Sequence, residues 1–331
     1  MTTDKIRWGI LGTGVIARKF AEGLAVLPDA VLTAVGSRNE HTAAAFATQY
    51  HVPHAHASYK ALAKNPEVDV IYIATPHVFH MENSLLCLQH GKAVLCEKPF
   101  TMNRRQAEAI FALTEKTGLF VMEAMWTCFL PAITMVRQLL QDGVIGQVRM
   151  LTADFGYRTA MNPYGRHFAP TLGGGALLDV GIYPLALAHM VFGAPTQITG
   201  LAHLGETGVD EQAAIILGYK GGELALLHTA VRTETVQEAV IMGTNGRIKI
   251  HFPWWQPTRL TLTLSGQAAQ DIELPFLGNG YNYEAAAVMD CLRSGQTQHP
   301  LMPWSTTLAL QDTMDKIRTQ WGLRYPADEE M

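Results

Sequence analysis

The first 125 residues alternate short apolar runs with longer segments in which apolar positions recur at helical spacing. The apolar runs span residues 6–11, 31–36, 68–74, 93–96 and 119–122. Helical spacing is found in residues 16–27, 42–50, 81–90 and 104–117. Strands that alternate with helices of this length indicate βαβ units, and strands that are apolar throughout indicate a parallel sheet covered on both faces. This part of the chain is therefore predicted to be an α/β domain.

The pattern changes after about residue 125. Residues 147–275 contain long strand-like runs with two hairpin signals, GYKGGEL and GTNGRIK, in which Gly-Gly or Asn-Gly separates β-prone residues. Helical spacing is found in residues 131–141, 176–192, 281–294 and 304–321. We expect an α/β domain over residues 1–123, followed over residues 124–331 by an α+β domain with a large, mostly antiparallel sheet.

Composition limits the possible classes of function. The chain has 331 residues, 48% apolar and 16% charged, with a formal net charge of −4 and no basic cluster, so it lacks the electrostatic footprint of a nucleic-acid-binding protein. Its four cysteines have neither metal-ligand nor disulfide-framework spacing, which favours reduced thiols. The N-terminal MTTDKIRWGI does not read as a signal peptide, and no run of about 18 apolar residues is evident. These features predict a cytoplasmic protein that does not contact a membrane.

A glycine-rich turn follows the first apolar run. The segment GILGTGVIA places Gly12, Gly14 and Ala17 in a G-x-G-x-x-A pattern between a strand and a helix. Gly12 permits a tight turn, Gly14 allows a pyrophosphate to approach the backbone, and Ala17 lets the helix pack closely on the strand. The free N–H groups at the start of that helix favour an anion. The pattern predicts a dinucleotide-binding Rossmann domain rather than a structural turn alone.

The end of the second apolar run bears on which dinucleotide binds. An NAD site usually has an acidic residue here that accepts a hydrogen bond from the ribose, whereas this chain has Ser37 and Arg38. A guanidinium pairs well with phosphate oxygens, so these residues favour NADP over NAD. Two alternatives stay open, because Glu40 could serve NAD and Arg38 could be a solvated loop residue.

Two charged residues end another apolar run, in VLCEKPF. Pro99 restricts the backbone of Lys98 to extended conformations, so Lys98 is held at the carboxyl edge of the predicted sheet, together with Thr75 and Pro76. In a partly desolvated cleft, the Lys98 ammonium would stabilise negative charge that develops on a substrate oxygen. The alternative is a surface ion pair between Glu97 and Lys98.

Five of the thirteen histidines fall into two groups, neither of which has a metal-binding pattern. His77 and His80 are three residues apart in ATPHVFH, and three more histidines lie in HVPHAHASY. Neither group has the ligand spacing of a zinc site. We interpret the first two as packing or hydrogen-bonding residues and the other three as loop residues, and we predict no metal.

The second half supplies a carboxylate and a phenol in LGGGALLDVGIYP. Asp179 and Tyr183 are four residues apart, which places both on one face of a helix. Pro184 is disfavoured inside a helix, so the helix is predicted to begin shortly before it. A phenol can exchange a proton with a carbinol oxygen, a neighbouring ammonium favours the phenolate, and Asp179 would orient Lys98 or a substrate hydroxyl. The alternative is that Tyr183 is a core aromatic residue and Asp179 a helix cap.

Together these motifs resemble those of the Gfo/Idh/MocA oxidoreductases, the family of glucose–fructose oxidoreductase and inositol dehydrogenase. The resemblance covers nearly the whole chain and rests on GILGTGVIA, IATPHVFH, CEKPF, VMEAMWTCFLP and RHFAPTLGGGALLDVGIYP. The chain is most similar to the dimeric dihydrodiol dehydrogenase and glucose–fructose oxidoreductase branch, which has Tyr where inositol dehydrogenases have His. Family members place the open sheet of the second domain at a subunit contact, so the resemblance implies a homodimer or higher oligomer.

The resemblance also implies roles for individual residues. Lys98 and Tyr183 would be the catalytic pair, and Asp179 would hold the lysine or the substrate. The implied cofactor contacts are Gly12, Thr13, Gly14, Val15 and Ile16 at the pyrophosphate, Ser37 and Arg38 at the adenosine phosphate, Thr75, Pro76, His80, Glu97 and Lys98 at the ribose and nicotinamide, and Arg166, which faces cofactor or substrate. Relatives often have Arg where this chain has Cys128, a departure that bears on the substrate pocket or the subunit contact.

The combined prediction is reversible hydride transfer between NADP and a secondary hydroxyl of a sugar, cyclic polyol or trans-dihydrodiol. Tyr183 would exchange the hydroxyl proton, and Lys98 would stabilise the oxygen. The other predicted substrate contacts are aromatic residues that could equally be core: Trp126, Phe155, Trp254, Trp255 and Tyr281. Two rival functions are a non-catalytic dinucleotide-sensing regulator of the same fold and a sugar-nucleotide dehydrogenase or ketoreductase.

Overall fold

The computed structural model describes residues 5–329, so the first four and last two residues of the predicted domains lie outside the described part. The chain forms two compact units. The first contains the chain up to Thr101, Arg105–Trp126 and Leu277–Thr307, and the second contains Met102–Arg104, Thr127–Phe276 and the chain from Leu308 onwards. This division differs from the predicted boundary between residues 123 and 124, because residues 277–307 group with the first unit.

Helices make up much of both units. In chain order they are α1 (Val15–Leu24), α2 (Glu40–Tyr50), α3 (Tyr59–Ala63), α4 (His80–Gln89), α5 (Arg104–Thr117), α6 (Pro131–Gln141), α7 (Ile182–Phe192), α8 (Tyr281–Arg293) and α9 (Trp304–Trp321). Apart from α3, each lies within or close to a segment predicted from its helical spacing. The five residues of α3 are too few for a periodic pattern to stand out.

A parallel sheet forms the centre of the first unit. Its strands within residues 5–329 are β1 (Ile6–Leu11), β2 (Ala30–Gly36), β3 (His54–His56), β4 (Val70–Ile73), β5 (Ala93–Glu97) and β6 (Val121–Ala124). Their order across the sheet is β3-β2-β1-β4-β5-β6, and the neighbouring strands are parallel. This is the strand order of dinucleotide-binding domains, so the predicted Rossmann fold is confirmed.

The edge strand β3 was predicted to be a loop. It pairs with β2 over only three residues and alternates His, Ala and His, with both histidines half-buried. Such a short segment has no apolar run, which is why its sequence does not indicate a strand. His54 and His56 are therefore strand residues rather than loop residues.

Close packing against α1 explains why α8 belongs to the first unit. Phe20 of α1 stacks on Tyr72 of β4, with ring centroids 3.7 Å apart, and meets Trp8 of β1 edge-on at 5.2 Å. On the same helix α1, Gly23 contacts α8 so closely that a Cβ there would lie 2.9 Å from Cβ of Tyr281. Burial of the apolar face of α8 against α1 thus ties residues far apart in sequence to the nucleotide-type domain.

The second unit contains a larger sheet. Its strands within the described residues are β7 (Val148–Gly156), β8 (Gln197–Leu204), β9 (Asp210–Gly218), β10 (Leu224–Ala230), β11 (Ala239–Gly243), β12 (Gly246–Ile250), β13 (Arg259–Leu264) and β14 (Gln270–Glu273). The order is β14-β13-β12-β11-β7-β10-β9-β8, and the pairs are antiparallel except for β7 with β10. The predicted mostly antiparallel sheet and both predicted hairpins, β9–β10 and β11–β12, are confirmed.

The two faces of this sheet differ in burial. Along β9, Ala213, Ile215 and Leu217 are buried, whereas the alternating Ala214 and Ile216 are exposed. The buried face packs against α7 and the helical turn before it. The exposed face carries several apolar side chains, and the described structure leaves it open on that side.

One segment corrects the expectation that no run could span a membrane. By length and composition alone, Pro170–Phe192 could cross a membrane. Its most apolar 18-residue stretch has a mean hydropathy of 1.5, and 78% of that stretch is buried by the rest of the chain. It consists of a 3₁₀ turn (Pro170–Leu172), a π-helical turn (Leu177–Gly181) and α7. Burial to this extent is typical of a core helix.

Candidate active site

The glycine turn between β1 and α1 has the shape of an anion site. Gly12 has φ of +109°, and a Cβ there would lie 2.9 Å from the carbonyl oxygen of Ala74, so only glycine fits. Gly14 is the N-cap of α1, and a Cβ on it would meet nothing within 4 Å. The protein itself therefore leaves open space at Gly14, in front of the free N–H groups of the helix. This space fits the pyrophosphate of a dinucleotide.

The loop after β2 is organised by hydroxyl groups. The Ser37 hydroxyl is 2.7 Å from the Thr42 hydroxyl and accepts a hydrogen bond from the N–H of Asn39, so it fixes the start of α2. Arg38 lies over the ring of Phe79, with its guanidinium carbon 5.6 Å from the ring centroid. Ser37 is buried and Arg38 exposed, which leaves Arg38 as the more accessible of the two to an anion.

A cavity of about 230 Å³ adjoins this loop and the glycine turn. Its lining includes Thr13, which was predicted to contact cofactor, and also Arg18, His41 and Thr42, which were not. Arg18 and His41 carry no motif of their own and are brought together only because the starts of α1 and α2 are neighbours. The signal that could have found them is their position in the first turn of helices that begin at the carboxyl edge of the sheet.

The His80 side chain links two loops of the first unit through backbone carbonyl groups. Its ring lies 2.8 Å from the carbonyl oxygen of Thr75 and 2.9 Å from that of Pro99, and it is almost completely buried. Burial lowers the pKa of His80. The ring thus ties the end of β4 to the segment after β5, and the Thr75 hydroxyl accepts a hydrogen bond from Asn83. The interpretation of His80 as a hydrogen-bonding residue agrees with this placement.

Glu97 and Lys98 end β5 beside further acidic groups. Glu97 is buried, accepts a hydrogen bond from the Tyr72 hydroxyl and a second, of 3.2 Å, from the backbone N–H of Lys98. Lys98 is half-buried, and its peptide bond to Pro99 is cis. On the adjacent strand β6, Glu123 accepts hydrogen bonds of 2.9 Å from the Phe100 N–H and the Thr307 hydroxyl. Glu97 is a buried member of a hydrogen-bonded group, so the simple surface ion pair is excluded.

Asp179 is the centre of a polar cluster in the second unit. It accepts hydrogen bonds from Arg166, at 3.0 Å, and from the Tyr157 hydroxyl, and it lies 3.9 Å from His167 Nε2. Burial and the charge of Asp179 raise the pKa of Tyr157. Burial lowers the pKa of Arg166, but Asp179 and Tyr157 together raise it above its ordinary value. The arrangement makes Asp179 the charged partner of Arg166 and not a helix cap.

Tyr183 lies among aromatic rings one turn from Asp179. Its ring centroid is 5.3 Å from that of Phe155 and 6.4 Å from that of Trp255, and these two rings stack on each other at 4.9 Å. α7 begins at Ile182, two residues before Pro184, as predicted. The π-helical turn that carries Asp179 runs directly into α7, so the carboxylate and the phenol are held by one continuous helical segment.

The start of that helical segment is fixed by a buried carboxyl group. Asp210 of β9 accepts a 2.6 Å hydrogen bond from the N–H of Leu177, and a Cβ on Gly175 (φ +118°) would collide with its Oδ1. The Tyr325 hydroxyl donates to the carbonyl of Gly174 at 2.6 Å. Burial raises the pKa of Asp210 to about 7. The glycine triplet therefore lets the chain pass close to β9 and aim Asp179 and Tyr183.

Two family models match this chain. One, described as an oxidoreductase family with an NAD-binding Rossmann fold, matches residues 6–125, and the other, a GFO/IDH/MocA C-terminal domain, matches residues 133–249. The chain belongs to the GFO/IDH/MocA oxidoreductase family. It is thus an oxidoreductase with an NAD(P)-type Rossmann domain.

Individual relatives agree with this assignment. The trans-1,2-dihydrobenzene-1,2-diol dehydrogenase of Xenopus tropicalis is 36% identical over 332 residues, which cover 97% of this chain and 99% of that protein. The 3-ketoreductase KijD10 from Actinomadura kijaniata, solved with NADP and TDP-benzene, is 28% identical, with a TM-score of 0.86 over 96% of this chain and 98% of that one. An aldose-aldose oxidoreductase from Caulobacter crescentus has the same fold, with a TM-score of 0.87 at 23% identity over 95% of this chain and 97% of that one.

The aromatic residues predicted to contact substrate fall into three groups in this GFO/IDH/MocA protein. Phe155 and Trp255 surround Tyr183 as described. Trp126 and Tyr281 stack on each other in the first unit, with ring centroids 4.4 Å apart. Trp254 is completely buried and donates its indole N–H to the carbonyl of Asp154, so it packs as a core residue.

Other residues of the site were not foreseen. Tyr157 and His167 contact Asp179. His167 lies within the motif RHFAPTLGGGALLDVGIYP but was not singled out, and Tyr157 directly follows β7 in a segment without a motif. The carbonyl of Cys128 accepts a hydrogen bond from the guanidinium of Arg137, in the middle of α6. Within residues 5–329 no group of three or more His, Cys, Asp or Glu side chains is arranged to hold a metal ion.

Proposed function

We propose that this chain is an NADP-dependent oxidoreductase that interconverts a secondary alcohol and a carbonyl on a sugar, a cyclic polyol or a trans-dihydrodiol. The observation that carries the proposal is the placement of Tyr183 among Phe155 and Trp255, one turn after an Asp179 carboxylate that is paired with Arg166. A phenol in an aromatic pocket beside a fixed carboxylate suits proton exchange with a substrate hydroxyl.

The proposed roles follow from chemistry. NADP(H), when bound, would supply or accept the hydride. Tyr183 removes the hydroxyl proton in oxidation and returns it in reduction, a contribution typically of about 10²–10⁴ in rate. The Lys98 ammonium stabilises negative charge on the substrate oxygen. Asp179, held by Arg166 and Tyr157, keeps the helix that carries Tyr183 in place.

The preference for NADP is supported by the loop after β2. Arg38 is exposed, and a guanidinium at this position can pair with a 2′-phosphate. Glu40, the acidic alternative, is the first residue of α2 and is exposed. KijD10 was solved with NADP, which also favours this cofactor.

The substrate class is supported by two observations. Phe155 and Trp255 offer parallel stacked rings, 3° apart in plane, that suit both the apolar face of a sugar and an aryl diol. The dihydrodiol dehydrogenases cover nearly all of the chain, which favours a diol. A sugar-nucleotide ketoreductase is the second candidate, because KijD10 is named a 3-ketoreductase and was solved with TDP-benzene.

Oligomerisation through the open sheet is part of the proposal. On the uncovered face, Ile216 pairs with Leu226 across β9 and β10, and Leu224 pairs with Met150 across β10 and β7, with all four side chains more than one-third exposed. An apolar face of this kind marks an interaction surface. Replacing Ile216 by Glu should convert a dimer to monomers in light scattering, whereas Leu277→Glu, at an exposed position of the first unit, should not. A monomeric wild type would contradict this part. The cytoplasmic location stays a prediction.

The function is tested with a panel of aldoses, inositols, trans-dihydrodiols and 3-keto sugar nucleotides, followed by the absorbance of reduced nicotinamide with NADP and with NAD. We expect turnover of one alcohol or ketone class with NADP. Activity with NAD alone would overturn the assignment of Arg38, and turnover only of sugar nucleotides would favour the second candidate. No turnover of any member, with dinucleotide binding intact, would contradict the proposed function.

A further inference from the structure

Glu284 is a buried carboxyl group without a hydrogen-bond partner. It lies in the first turn of α8 and is 0% exposed, and neither of its oxygens contacts a donor among the described residues. A buried carboxylate without a donor is strongly disfavoured, since it loses hydration and gains nothing in return. Such a group is retained either as a neutral acid or for a function that needs it.

Glu284 lies close to Glu97, the residue that precedes Lys98. Glu97 and Tyr72 are both close enough to Glu284 to interact with it electrostatically. Tyr281, which lies one turn before Glu284 on α8, interacts with Tyr72. Burial and the negative charge of Glu97 raise the pKa of Glu284 well above its usual range. Neither oxygen of Glu284 has a hydrogen-bond donor among the described residues, so the described geometry offers nothing that would stabilise its ionised form.

The two carboxyl groups differ in what donates to them. Glu97 accepts from the Tyr72 hydroxyl and from the backbone N–H of Lys98, whereas Glu284 accepts from neither. Two donors stabilise a carboxylate, and an undonated neighbour is the one that keeps a proton. When two interacting acids share a site, one of them ionises and the other stays neutral.

We propose that Glu284 is a positioning residue that stays protonated, so that the buried pair of Glu97 and Glu284 carries one negative charge, held on Glu97 next to Lys98. This inference rests on the proposed role of Lys98. A single charge holds the peptide at Lys98 through its N–H, and a second charge on Glu284 would repel Glu97 and disturb that contact. Loss of the Glu284 proton as the pH rises therefore weakens the contact that holds the peptide at Lys98.

Other titratable groups border the pair and must be separated from it in any test. Glu123 has a pKa raised by burial to about 7 and interacts with both Glu97 and Lys98. His80 interacts with Lys98, and its pKa is lowered, first of all by burial. The hydroxyls of Tyr72 and Tyr281 are the remaining titratable groups near the pair, and burial raises the pKa of Tyr72 above its ordinary value.

The sign of the pH effect follows from the raised pKa of Glu284. The folded protein holds a proton that the unfolded chain releases near the ordinary carboxyl pKa, so folding gains stability at low pH. That gain is lost as the pH rises through the folded pKa of Glu284. Replacing Glu284 by Gln mimics the protonated acid and removes this loss.

The test compares wild type with Glu284→Gln, Glu284→Ala and the exposed control Glu115→Gln. Thermal unfolding of each protein without cofactor is measured across neutral and alkaline pH. We expect the melting temperature of wild type and the control to fall more steeply with pH than that of the Gln variant. The Ala variant, which leaves a cavity, should be less stable at every pH. Infrared spectra should show a protonated carboxyl band in wild type that the Gln variant lacks.

Activity supplies the second arm once a substrate is known. Above the pKa of Glu284, kcat/KM of wild type should fall about tenfold per pH unit, as for loss of one proton. In the Gln variant this fall should move to higher pH, with cofactor affinity unchanged. Equal pH slopes of unfolding in wild type and the Gln variant, or no such infrared band, would overturn the proposal. If no member of the substrate panel is turned over, the proposed function is contradicted. The protonation of Glu284 is then tested by the unfolding and infrared measurements alone.

Discussion

Asp179 and Glu284 are both buried acids, the first one helical turn before Tyr183 and the second close to Glu97, which precedes Lys98, yet their surroundings are opposite. Asp179 has the Arg166 guanidinium at 3.0 Å and the Tyr157 hydroxyl as donors. Glu284 has no hydrogen-bond donor within the described part of the chain. A paired buried acid keeps its charge, and an unpaired one keeps its proton. Tyr183 is therefore supported by a fixed charge and Lys98 by a pair of acids that holds a single charge.

The difference also separates two ways to fix a helix. The helical segment that carries Tyr183 is fixed at its start by Asp210 and along its length by the Asp179 cluster. α8, which carries Glu284, is fixed by apolar packing against α1 at Gly23. Hydrogen bonds to buried acids thus fix the helical segment that carries Tyr183, whereas close apolar packing fixes α8, which carries Glu284.

The largest expected effect is on turnover, from Tyr183→Phe. This change removes the proton-exchanging hydroxyl and keeps the ring among Phe155 and Trp255, so kcat should fall by about 10²–10⁴ while NADPH affinity stays the same. Steady-state kinetics and a fluorescence titration of NADPH measure the two quantities. Tyr157→Phe, which removes a hydroxyl that contacts Asp179 and Arg166, is the matched control and should cost less. Equal losses of kcat in both variants would mean that turnover depends on the polar cluster around Asp179 and not on the Tyr183 hydroxyl.

A pH-dependent change in stability is expected next, from Asp210→Asn. Asp210 has a pKa of about 7 in the folded protein because it is buried, so the folded chain binds one more proton than the unfolded chain between about pH 4 and that value. Wild type should lose up to about 1.4 kcal/mol of stability per pH unit as the pH rises through this window. Urea unfolding at several pH values measures this slope, which Asp210→Asn should reduce. An unchanged slope would mean that Asp210 stays ionised in the folded protein.

A smaller loss of stability is expected from Asp179→Asn. The change takes the charged acceptor from Arg166 and Tyr157, and a hydrogen bond to a charged group is worth about 1.5–3 kcal/mol. Because half of the Arg166 side chain is exposed, we expect the lower end of this range in denaturant unfolding. The control is Asp290→Asn, where an exposed carboxylate pairs with Arg293 and should contribute about 0–1 kcal/mol. No greater loss at Asp179 than at Asp290 would contradict the description of Asp179 as a paired buried charge.

Much of the fold could be predicted because it depends on local patterns. The apolar runs of β1, β2, β4, β5 and β6 and the two hairpin signals are continuous in sequence, and each strand or turn lies where its pattern indicates. The position of α8 could not be predicted, because its contact with α1 joins residues more than 250 positions apart in the chain. The domain boundary was predicted from the change in sequence pattern after residue 125. Residues 277–307 return to the first unit without a comparable change in pattern, so their place in that unit could not be predicted.

The candidate site shows the same limit at the level of single residues. Asp179 and Tyr183 could be paired from their spacing, since one helical turn brings them together. Trp254 has the same residue type as Trp255 and stands next to it, but adjacent residues of an irregular segment face different surroundings, and only Trp255 reaches Tyr183. Tyr157 and Glu284 carry no pattern, and their importance comes from what surrounds them: a donor to a charge in one case and the lack of a donor in the other.

A double-mutant cycle with Lys98→Met and Tyr183→Phe tests most directly whether the two residues act on the same substrate oxygen. Single-turnover rates are measured for wild type, both single variants and the double variant at saturating NADPH. If Lys98 and Tyr183 act as a unit, the double variant should be about as slow as the slower single variant, with a strongly non-additive coupling. Independent, additive losses would contradict the proposal that the ammonium and the phenol act together.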